Sequence, residues 1–291
     1  HGRRRHRTFD VTGAYLKGKF LDDEIVYARP PPGERTFTFR EGRRVPVVWQ
    51  LKVPLYGEVD AGYIWNRTAT NQLVKVQGWS QSEYDPGYFW KVLDDGTFMD
   101  LVLYVDDAYV TDEHSPLADA ELDAFSLAFA DKDGTPGITV QAPSHFLGAN
   151  IEARPDGSVK VSSAAYTRQM AAKYLPKPLG EYPTYHTPSA KDLVEAYDEA
   201  RDRVGTLGPG EQAAYASKCG AGIFAGPCSR FDALYTLGMC ARCLTFPTAR
   251  MMKAIERCIA YMAQTCDRGI HYRPGNSITY EAYSDADWQV A

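Results

Sequence analysis

Several features are scarce or missing in this sequence of 291 residues, and each absence excludes a class of protein. No apolar run approaches the roughly 18 to 20 residues of a membrane-spanning helix, which argues against an integral membrane protein. The first residues, HGRRRHR, are basic and lead into no apolar segment, so no secretory signal peptide is predicted. The chain begins without methionine and stops within a motif, DWQVA, and we therefore expect a piece of a longer protein.

Cysteine is absent before Cys219, and all six cysteines lie between that residue and Cys266. In a chain without a signal peptide, this clustering argues against a secreted protein held together by disulfide bonds. Cys240 and Cys243 have the spacing of a zinc-binding pair, but their surroundings, LYTLGMCARCL, are apolar and helical, and no second pair follows. We therefore expect small buried side chains in a helix rather than zinc ligands.

The charge is slightly negative and is distributed unevenly. The chain has 32 Lys and Arg against 37 Asp and Glu, a net charge of -5, which argues mildly against a uniformly basic nucleic-acid-binding protein. Twelve acids and one base lie between Asp94 and Asp133, whereas seven bases and three acids lie between Arg230 and Arg273. This division suits a protein that binds divalent cations in one region and phosphates in another; the alternative is a random distribution of surface charge.

Length and composition predict a globular protein of about two domains, and the sequence contains no internal repeat. Short apolar runs separated by Gly and Pro predict strands, and longer periodic segments predict helices. The predicted elements are a strand over 7–16 broken at Gly13, a helix over 61–77 between Asp60 and Gly78, a meander of at least three strands over 78–113, a helix over 116–130, a strand pair over 145–163 turned at 155–157, a Pro- and Gly-rich connector over 175–210, mostly helix over 211–265, and a strand that opens at 277.

The decapeptide LVLYVDDAYV, residues 101–110, predicts an interior hairpin with two carboxylates at its tip. Its apolar flanks are expected to be buried strands, and the turn contains neither the Gly nor the Asn that tight turns favour. Asp106 and Asp107 repel each other unless a cation neutralises them. The flanking strands therefore favour a metal site over a simple polar turn.

A third carboxylate, Asp10, ends the strand segment RTFD. Together with Asp106 and Asp107 it suits two Mg²⁺ ions, which nucleotidyl transfer requires about 3.5–4 Å apart. Because side chains alternate along a strand, Asp106 and Asp107 cannot point the same way. We expect Asp106 to share a face with Asp10 and to bridge both ions, and Asp107 to be the weaker ligand.

Motifs along nearly the whole chain, in order, resemble one protein family. YVDD at 104–107 resembles the YVDD box of reverse transcriptases, and DVTGAY at 10–15 resembles their first aspartate motif. The segments that resemble the Ty1/copia class of retrotransposon polyproteins are DVTGAYLKGKFLDDEIVYARPPPG from residue 10, WQLK with PLYG at 49–57, SEYDPGYFW at 82–90, HFLGANIE at 145–152 and YSDADW at 283–288. Each motif alone is weak, whereas the ordered set is specific.

The resemblance implies an RNA-directed DNA polymerase domain that adds deoxynucleotides to a primer by two-metal nucleotidyl transfer. The implied fold class is α+β, with a reverse-transcriptase palm over residues 1–190 that has truncated fingers and carries helices on one face of an antiparallel sheet. A mostly helical thumb or connection region is implied over 191–280, and the first strand of a truncated ribonuclease H domain over 281–291. The implied cofactor is Mg²⁺, as two ions, with Mn²⁺ as a substitute.

The resemblance also implies partners and a location. The partners are an RNA or DNA template with its primer, deoxynucleoside triphosphates, and the remaining Pol polyprotein domains, namely the N-terminal fingers and ribonuclease H. No membrane partner is implied. The expected location is intracellular, in a cytoplasmic particle or in the nucleus.

Roles for single residues follow from the family motifs by position. The resemblance implies that Asp10, Asp106 and Asp107 are the catalytic metal ligands, and that Tyr15 is a steric gate against a ribonucleotide 2′-hydroxyl. The residues implied to contact nucleotide, template or primer are Gly13, Ala14, Gly57, Phe146, Leu147 and Gly148. Asp285 would be the first metal-binding acid of ribonuclease H, with no activity expected from the truncated domain. On its residue type alone, Tyr15 is better explained as a core aromatic than as a gate.

Residues 248–265 predict a second contact with nucleic acid. Arg250, Lys253 and Arg257 follow one face of the predicted helix at i, i+3 and i+7, opposite an apolar face that includes Ile255 and Ile259. A free basic face can follow a phosphate backbone. The alternative is a solvated basic face without a partner.

Two departures from the family pattern keep a second hypothesis open. After PLYG the family usually carries basic and amide residues, whereas this chain has Glu58, Val59 and Asp60. The chain also begins shortly before Asp10, without the segment that supplies triphosphate-binding bases in the family. The alternative function is therefore a catalytically decayed or co-opted remnant that binds nucleic acid without polymerising.

Overall fold

The computed structural model describes residues 4–275 and divides the chain into two compact units, 1–148 and 149–291. This division lies before the predicted boundary at residue 190, because Met170 belongs to the same hydrophobic core as the later helices. The strand predicted from residue 277, the domain predicted over 281–291 and Asp285 lie outside the described residues.

The first unit combines short strands with two α-helices. Its strands are β1 (Arg5–Val11), β2 (Tyr27–Ala28), β3 (Phe37–Arg40), β4 (Arg43–Pro46), β5 (Trp49–Gln50), β6 (Ser80–Gln81), β7 (Tyr88–Val92), β8 (Phe98–Tyr104), β9 (Asp107–Asp112), β10 (Ile138–Gln141) and β11 (His145–Phe146). Its helices are α1 (Ala61–Thr70), which continues as a π-helical segment over Asn71–Val76, and α2 (Pro116–Ala128), together with a 3₁₀ turn over Ala14–Lys17.

Six of these strands form one antiparallel sheet in the order β10-β1-β9-β8-β7-β6. The consecutive neighbours β6 to β9 confirm the predicted meander. β1 lies between β9 and β10, so the strand that contains Asp10 is the direct neighbour of the strand that begins at Asp107. Two small antiparallel pairs, β2-β5 and β3-β4, also form in this unit.

Helices α1 and α2 pack on one face of the six-stranded sheet. Phe9 of β1 and Leu101 of β8 share a core with Trp65 of α1 and Phe125 of α2. Because strand side chains alternate, the residues between the core positions, Asp10 among them, lie on the opposite face. Helices packed on an antiparallel sheet agree with the predicted α+β class.

Local sequence signals account for several element ends in the first unit. Ser115 accepts a hydrogen bond from the Leu117 N–H at 3.1 Å, and Pro116 occupies the first turn, so α2 begins where it was predicted. The helical path from α1 ends before Gly78, which has a φ of +73°, as predicted. β1 is shorter than the predicted strand: it ends at Val11, and Gly13, with a φ of +66°, turns the chain into the 3₁₀ segment.

The second unit is mainly helical. Its elements are β12 (Ala149–Ala153), β13 (Val159–Ser162), α3 (Ala164–Tyr174), α4 (Leu193–Arg201), α5 (Pro209–Ser229), α6 (Leu234–Arg242), α7 (Ala249–Gln264) and β14 (Gly269–Tyr272). β12, β13 and β14 pair antiparallel in that order, and the predicted strand pair with its turn at 155–157 is confirmed. The helices predicted over 211–265 are also confirmed.

The prediction of a plain connector over 175–210 is wrong in part, because this segment contains α4. Leu193, Ala196 and Ala200 recur at i, i+3 and i+7 and are buried in the core of the second unit. This narrow stripe of small apolar side chains is enough to bury one face of a nine-residue helix.

The six cysteines are free thiols, and Cys240 and Cys243 are buried at and just beyond the end of α6, as predicted. Burial raises the pKa of the Cys243 thiol to about 11 and raises that of Cys240 further. A raised pKa disfavours the thiolate that zinc binds. Of the helices within residues 4–275, none is both long and apolar enough to cross a bilayer.

Candidate active site

The sheet register places Asp10 and Asp107 directly opposite each other on neighbouring antiparallel strands. Residues paired in this way project from the same face, with Cβ atoms about 4.5–5.5 Å apart. Their neighbours Phe9 and Ala108 are buried against the helices, whereas Asp10 is exposed and Asp107 is half-buried. Two carboxylates that are far apart in the sequence therefore meet on the open face of the sheet.

Asp106 lies in the two-residue turn between β8 and β9, since Tyr104 pairs with Asp107 across the hairpin. Its backbone carbonyl accepts a hydrogen bond from the Val11 N–H at 2.8 Å, which ties the turn to the strand of Asp10. The expectation that Asp106 shares a strand face with Asp10 is wrong. The partner of Asp10 in the ladder is Asp107, and Asp106 belongs to the turn, where strand alternation no longer applies.

The three carboxylates interact electrostatically. Burial and the charge of Asp106 raise the pKa of Asp10, and burial together with the charges of Asp106 and Asp10 raises the pKa of Asp107. No side chain in the described part of the chain forms an ion pair with any of the three. A divalent cation would relieve this concentration of negative charge, and carboxylate oxygens are ligands that Mg²⁺ prefers.

The carboxylates do not form a closed set of ligands. Across residues 4–275, no three His, Cys, Asp or Glu side chains lie close enough together to hold a metal ion jointly. The donor set fits Mg²⁺ by its chemistry and its uncompensated charge, and the carboxylates would have to draw together around an ion.

Residues 13–15 continue directly from β1. Ala14 is buried, whereas Tyr15 is half-buried: its ring packs on the core of the first unit and lies 5.2 Å from the ring of Tyr56. Tyr15 is thus partly a core residue and partly a surface residue. Tyr56 is not among the predicted site residues, although its place in the PLYG motif and its aromatic ring are signals for it.

Of the remaining residues implied to contact nucleotide or primer, Gly57, Leu147 and Gly148 lie in turns of the first unit, and Phe146 ends β11. Gly57 has a φ of +92°, and no atom approaches within 4 Å of the position that a Cβ would occupy there. The ring of Phe146 lies 5.7 Å from that of Tyr109, which is two residues along β9 from Asp107 and hence on the same face. Leu147 and Gly148 follow at φ values of +49° and +78°, a sharp turn of the chain.

The basic residues predicted to bind nucleic acid lie on α7, and two of the three are held by neighbours within the second unit. Arg250 forms an ion pair with Asp192 at 2.7 Å and a further one with a carboxylate of α4. The Arg257 guanidinium lies 4.2 Å from the centre of the Tyr185 ring. Lys253 is exposed. The nucleic-acid-binding role of this face stays a prediction, with Lys253 the most accessible of its three cations.

Comparison with known proteins identifies the family. The family model described as "Reverse transcriptase (RNA-dependent DNA polymerase)" matches residues 2–184. The chain is 29% identical over 290 residues to the retrovirus-related Pol polyprotein from transposon RE1 of Arabidopsis thaliana, with 97% of this chain and 18% of that protein covered. It is 25% identical over 279 residues to the transposon Ty5-1 protein of Saccharomyces cerevisiae, with 95% of this chain and 82% of that protein covered.

The chain is also 24% identical over 279 residues to the retrovirus-related Pol polyprotein from transposon TNT 1-94 of Nicotiana tabacum. The chain spans only 18% of the length of the Arabidopsis RE1 polyprotein and 20% of the Nicotiana one. The family match nevertheless covers well over half of the chain. The chain therefore belongs to the reverse transcriptase (RNA-dependent DNA polymerase) family and is of the Ty1/copia type.

Proposed function

We propose that this chain is an RNA-directed DNA polymerase domain that adds deoxynucleotides to a primer on an RNA or DNA template. The observation that carries the proposal is that Asp10 faces Asp107 across the pairing of β1 with β9, with Asp106 in the adjoining turn. In the part of the chain that the structure describes, none of the three has a cationic partner. Carboxylates fixed in this way by rigid strands are suited to hold metal ions for phosphoryl chemistry.

Asp10, Asp106 and Asp107 would hold two Mg²⁺ ions, with Mn²⁺ as a substitute. When bound, the ions would activate the primer 3′-hydroxyl and stabilise the leaving pyrophosphate. The strand pairing holds Asp10 and Asp107 in register before any ion arrives, so little of the backbone has to move. The turn residue Asp106 would complete the ligand set from the end of the sheet.

The incoming nucleotide would lie beside residues 13–15. The backbone of Gly13 and Ala14 would approach the triphosphate, and Tyr15 would act as the steric gate below the sugar. The contact between the Tyr15 and Tyr56 rings supports this role, because a gate must resist displacement by a 2′-hydroxyl. The residues proposed to lie near template and primer are Gly57, Phe146, Leu147 and Gly148.

On this proposal the six-stranded sheet is the palm of the polymerase, and the helices of the second unit form its thumb or connection region. Lys253 would contribute most of the phosphate contact expected of α7, because Arg250 and Arg257 are held by other side chains. The remaining Pol domains would supply the fingers and ribonuclease H. The proposed location is a cytoplasmic particle or the nucleus.

Primer extension on an RNA template with Mg²⁺ tests the proposal, using this chain and a version extended at its N-terminus. Replacing Asp10, Asp106 or Asp107 by Asn in turn should lower the extension rate by at least about 100-fold, since a ligand to a catalytic ion is lost. Near-full activity of the Asp106→Asn variant would contradict the metal assignment. In the same assay, Tyr15→Ala should increase ribonucleotide incorporation, and unchanged discrimination would refute the gate.

A second candidate function is a remnant that binds nucleic acid without polymerising. Two observations favour it: the acids Glu58 and Asp60 directly after PLYG, and the open arrangement of the three carboxylates. This candidate predicts that both chain lengths bind a template–primer duplex with a strong dependence on salt, and that neither extends the primer under any concentration of Mg²⁺ or Mn²⁺.

A further inference from the structure

The turn that carries Asp106 contains an unfavourable backbone conformation. Val105, the first residue of the turn, has a φ of +56°. Residues branched at Cβ rarely adopt this left-handed region, and two-residue hairpin turns favour glycine at this position. Such a conformation persists only where the surrounding structure holds it. The hairpin sequence alone therefore does not account for the shape of the turn.

Trp65 of α1 contacts this turn directly. Its indole Nε1–H donates a hydrogen bond to the backbone carbonyl of Val105 at 2.6 Å. Trp65 is itself 1% exposed, and its ring packs edge-on against Phe129 at 5.1 Å. The Val105 side chain packs against the same core. The donor is therefore rigid and cannot follow the turn if the turn moves.

The three carboxylates depend on the turn to different degrees. Asp10 and Asp107 are opposite each other in a continuous strand ladder, so their positions are set by the pairing of β1 with β9. Asp106 has no ladder partner. Its own carbonyl accepts a hydrogen bond from the Val11 N–H, and the carbonyl of the preceding residue, Val105, accepts one from Trp65. A change at Val105 would displace Asp106 first.

We propose that Trp65 is a positioning residue for Asp106: its indole N–H holds Val105 in the left-handed conformation that aims the Asp106 carboxylate toward Asp10 and Asp107. The inference rests on the proposed function only in taking Asp106 to be a metal ligand. The hydrogen bond and its effect on the turn are independent of whether the chain polymerises.

The test compares Trp65→Phe with Trp79→Phe. Trp79 is a matched control: it is 2% exposed, lies in the same core, and donates its indole N–H to Glu121 Oε2 at 3.1 Å, away from the turn. Both variants lose one indole hydrogen bond and a similar volume from the core. A general loss of core packing should therefore affect the two alike.

In primer extension, Trp65→Phe should lower kcat roughly 10- to 100-fold, the range seen when the support of a metal ligand is removed. The KM for the deoxynucleotide should change less than about 3-fold, because the nucleotide contacts remain. The Mg²⁺ concentration for half-maximal rate should rise. Trp79→Phe should leave all three quantities within about 3-fold of the parent values. Equal losses of kcat in the two variants would overturn the proposal.

A second measurement does not need activity. In ¹H–¹⁵N NMR spectra, Trp65→Phe should shift the backbone amide signals of Val11, Asp106 and Asp107, and Trp79→Phe should leave them in place. These shifts in a protein that does not extend primers would refute the proposed function while supporting the role of Trp65. Unshifted signals in Trp65→Phe would overturn that role, whatever the activity.

Val105→Gly provides a rescue. Glycine adopts a positive φ without steric penalty, so the turn should keep its shape without the indole hydrogen bond. In the Val105→Gly background, Trp65→Phe should therefore lower kcat by less than about 3-fold. An undiminished effect of Trp65→Phe in that background would show that Trp65 acts through something other than the turn conformation, and would overturn the proposal.

Discussion

A buried ion cluster joins β1 to β9 and predicts a large loss of stability from one nearly isosteric substitution, Asp112→Asn. The Asp112 side chain is fully buried. It accepts hydrogen bonds from Arg7 Nη2 at 2.7 Å, from Arg5 Nε at 3.0 Å and from the backbone N–H of His114 at 2.9 Å. Burial alone would raise the pKa of Asp112, but the hydrogen bond from Arg5 and the charge of Arg7 outweigh it and keep that pKa below its ordinary value.

The size of the expected loss of stability follows from the burial of Arg7, which is 9% exposed. Without the charge of Asp112, this guanidinium stays buried with only the half-exposed Asp119 as a counter-ion. Removing one partner of a buried ion pair costs about 3–5 kcal/mol. Asp119→Asn is the matched control, because Asp119 contacts the same two arginines at 2.7 Å but is 51% exposed in its side chain. Its loss should cost under about 1 kcal/mol.

Urea unfolding followed by circular dichroism at pH 7 measures the free energy of unfolding of the parent protein and of both variants. Because the pKa of Asp112 is lowered in the folded state, its contribution to stability is complete above the unfolded pKa of about 3.9 and is lost as the pH falls through the folded value. The parent protein should therefore lose stability in that acidic window more steeply than Asp112→Asn. Equal effects of the Asp112 and Asp119 substitutions at pH 7, both under about 1 kcal/mol, would refute the reasoning.

Two further predictions concern the second unit. In α5, Gly220→Ala should raise the free energy of unfolding by about 0.5–1 kcal/mol, because the added Cβ would meet no other atom within 4 Å. Gly222→Ala should lower the free energy of unfolding by about 1–3 kcal/mol, because its Cβ would lie 2.5 Å from Leu237 Cδ2. Equal effects of the two substitutions in a denaturant titration would contradict this packing. Of the six cysteines, only Cys228 is not buried. A thiol reagent at neutral pH should therefore modify one thiol in the folded protein and all six after denaturation. Rapid reaction of several thiols in the folded protein would refute the burial of the other five.

The parts of the fold that local signals specify were predictable from the sequence. The alternating apolar run of LVLYVDDAYV required a buried hairpin, Ser115 and Pro116 marked the start of α2, and Gly13 marked the end of a strand. Each signal involves residues within a few positions of one another, whose spacing already determines the hydrogen bonds that they can make. α4 was missed because its three small apolar residues are surrounded by charged residues in a Pro- and Gly-rich segment.

For the candidate site, the sequence indicated which carboxylates to consider but not how they are arranged. The residue types and the family motifs selected Asp10, Asp106 and Asp107, yet the sequence led to the wrong pairing between them. A shift of one residue between β1 and β9 would move Asp10 away from Asp107. The alternating burial of Phe9 and Val11 in β1 and of Ala108 in β9 excludes a shift of one residue, but it does not distinguish this register from one shifted by two residues.

By itself, the sequence determined most of the strands and helices and which carboxylates are available, because those properties depend on neighbours along the chain. Only the tertiary structure decided that Asp107 faces Asp10, that Trp65 reaches the turn before Asp106, and that Arg250 is held by Asp192. Each of these contacts joins residues that are distant in the sequence. Their positions follow from the packing of whole elements around a shared core, which no local pattern records.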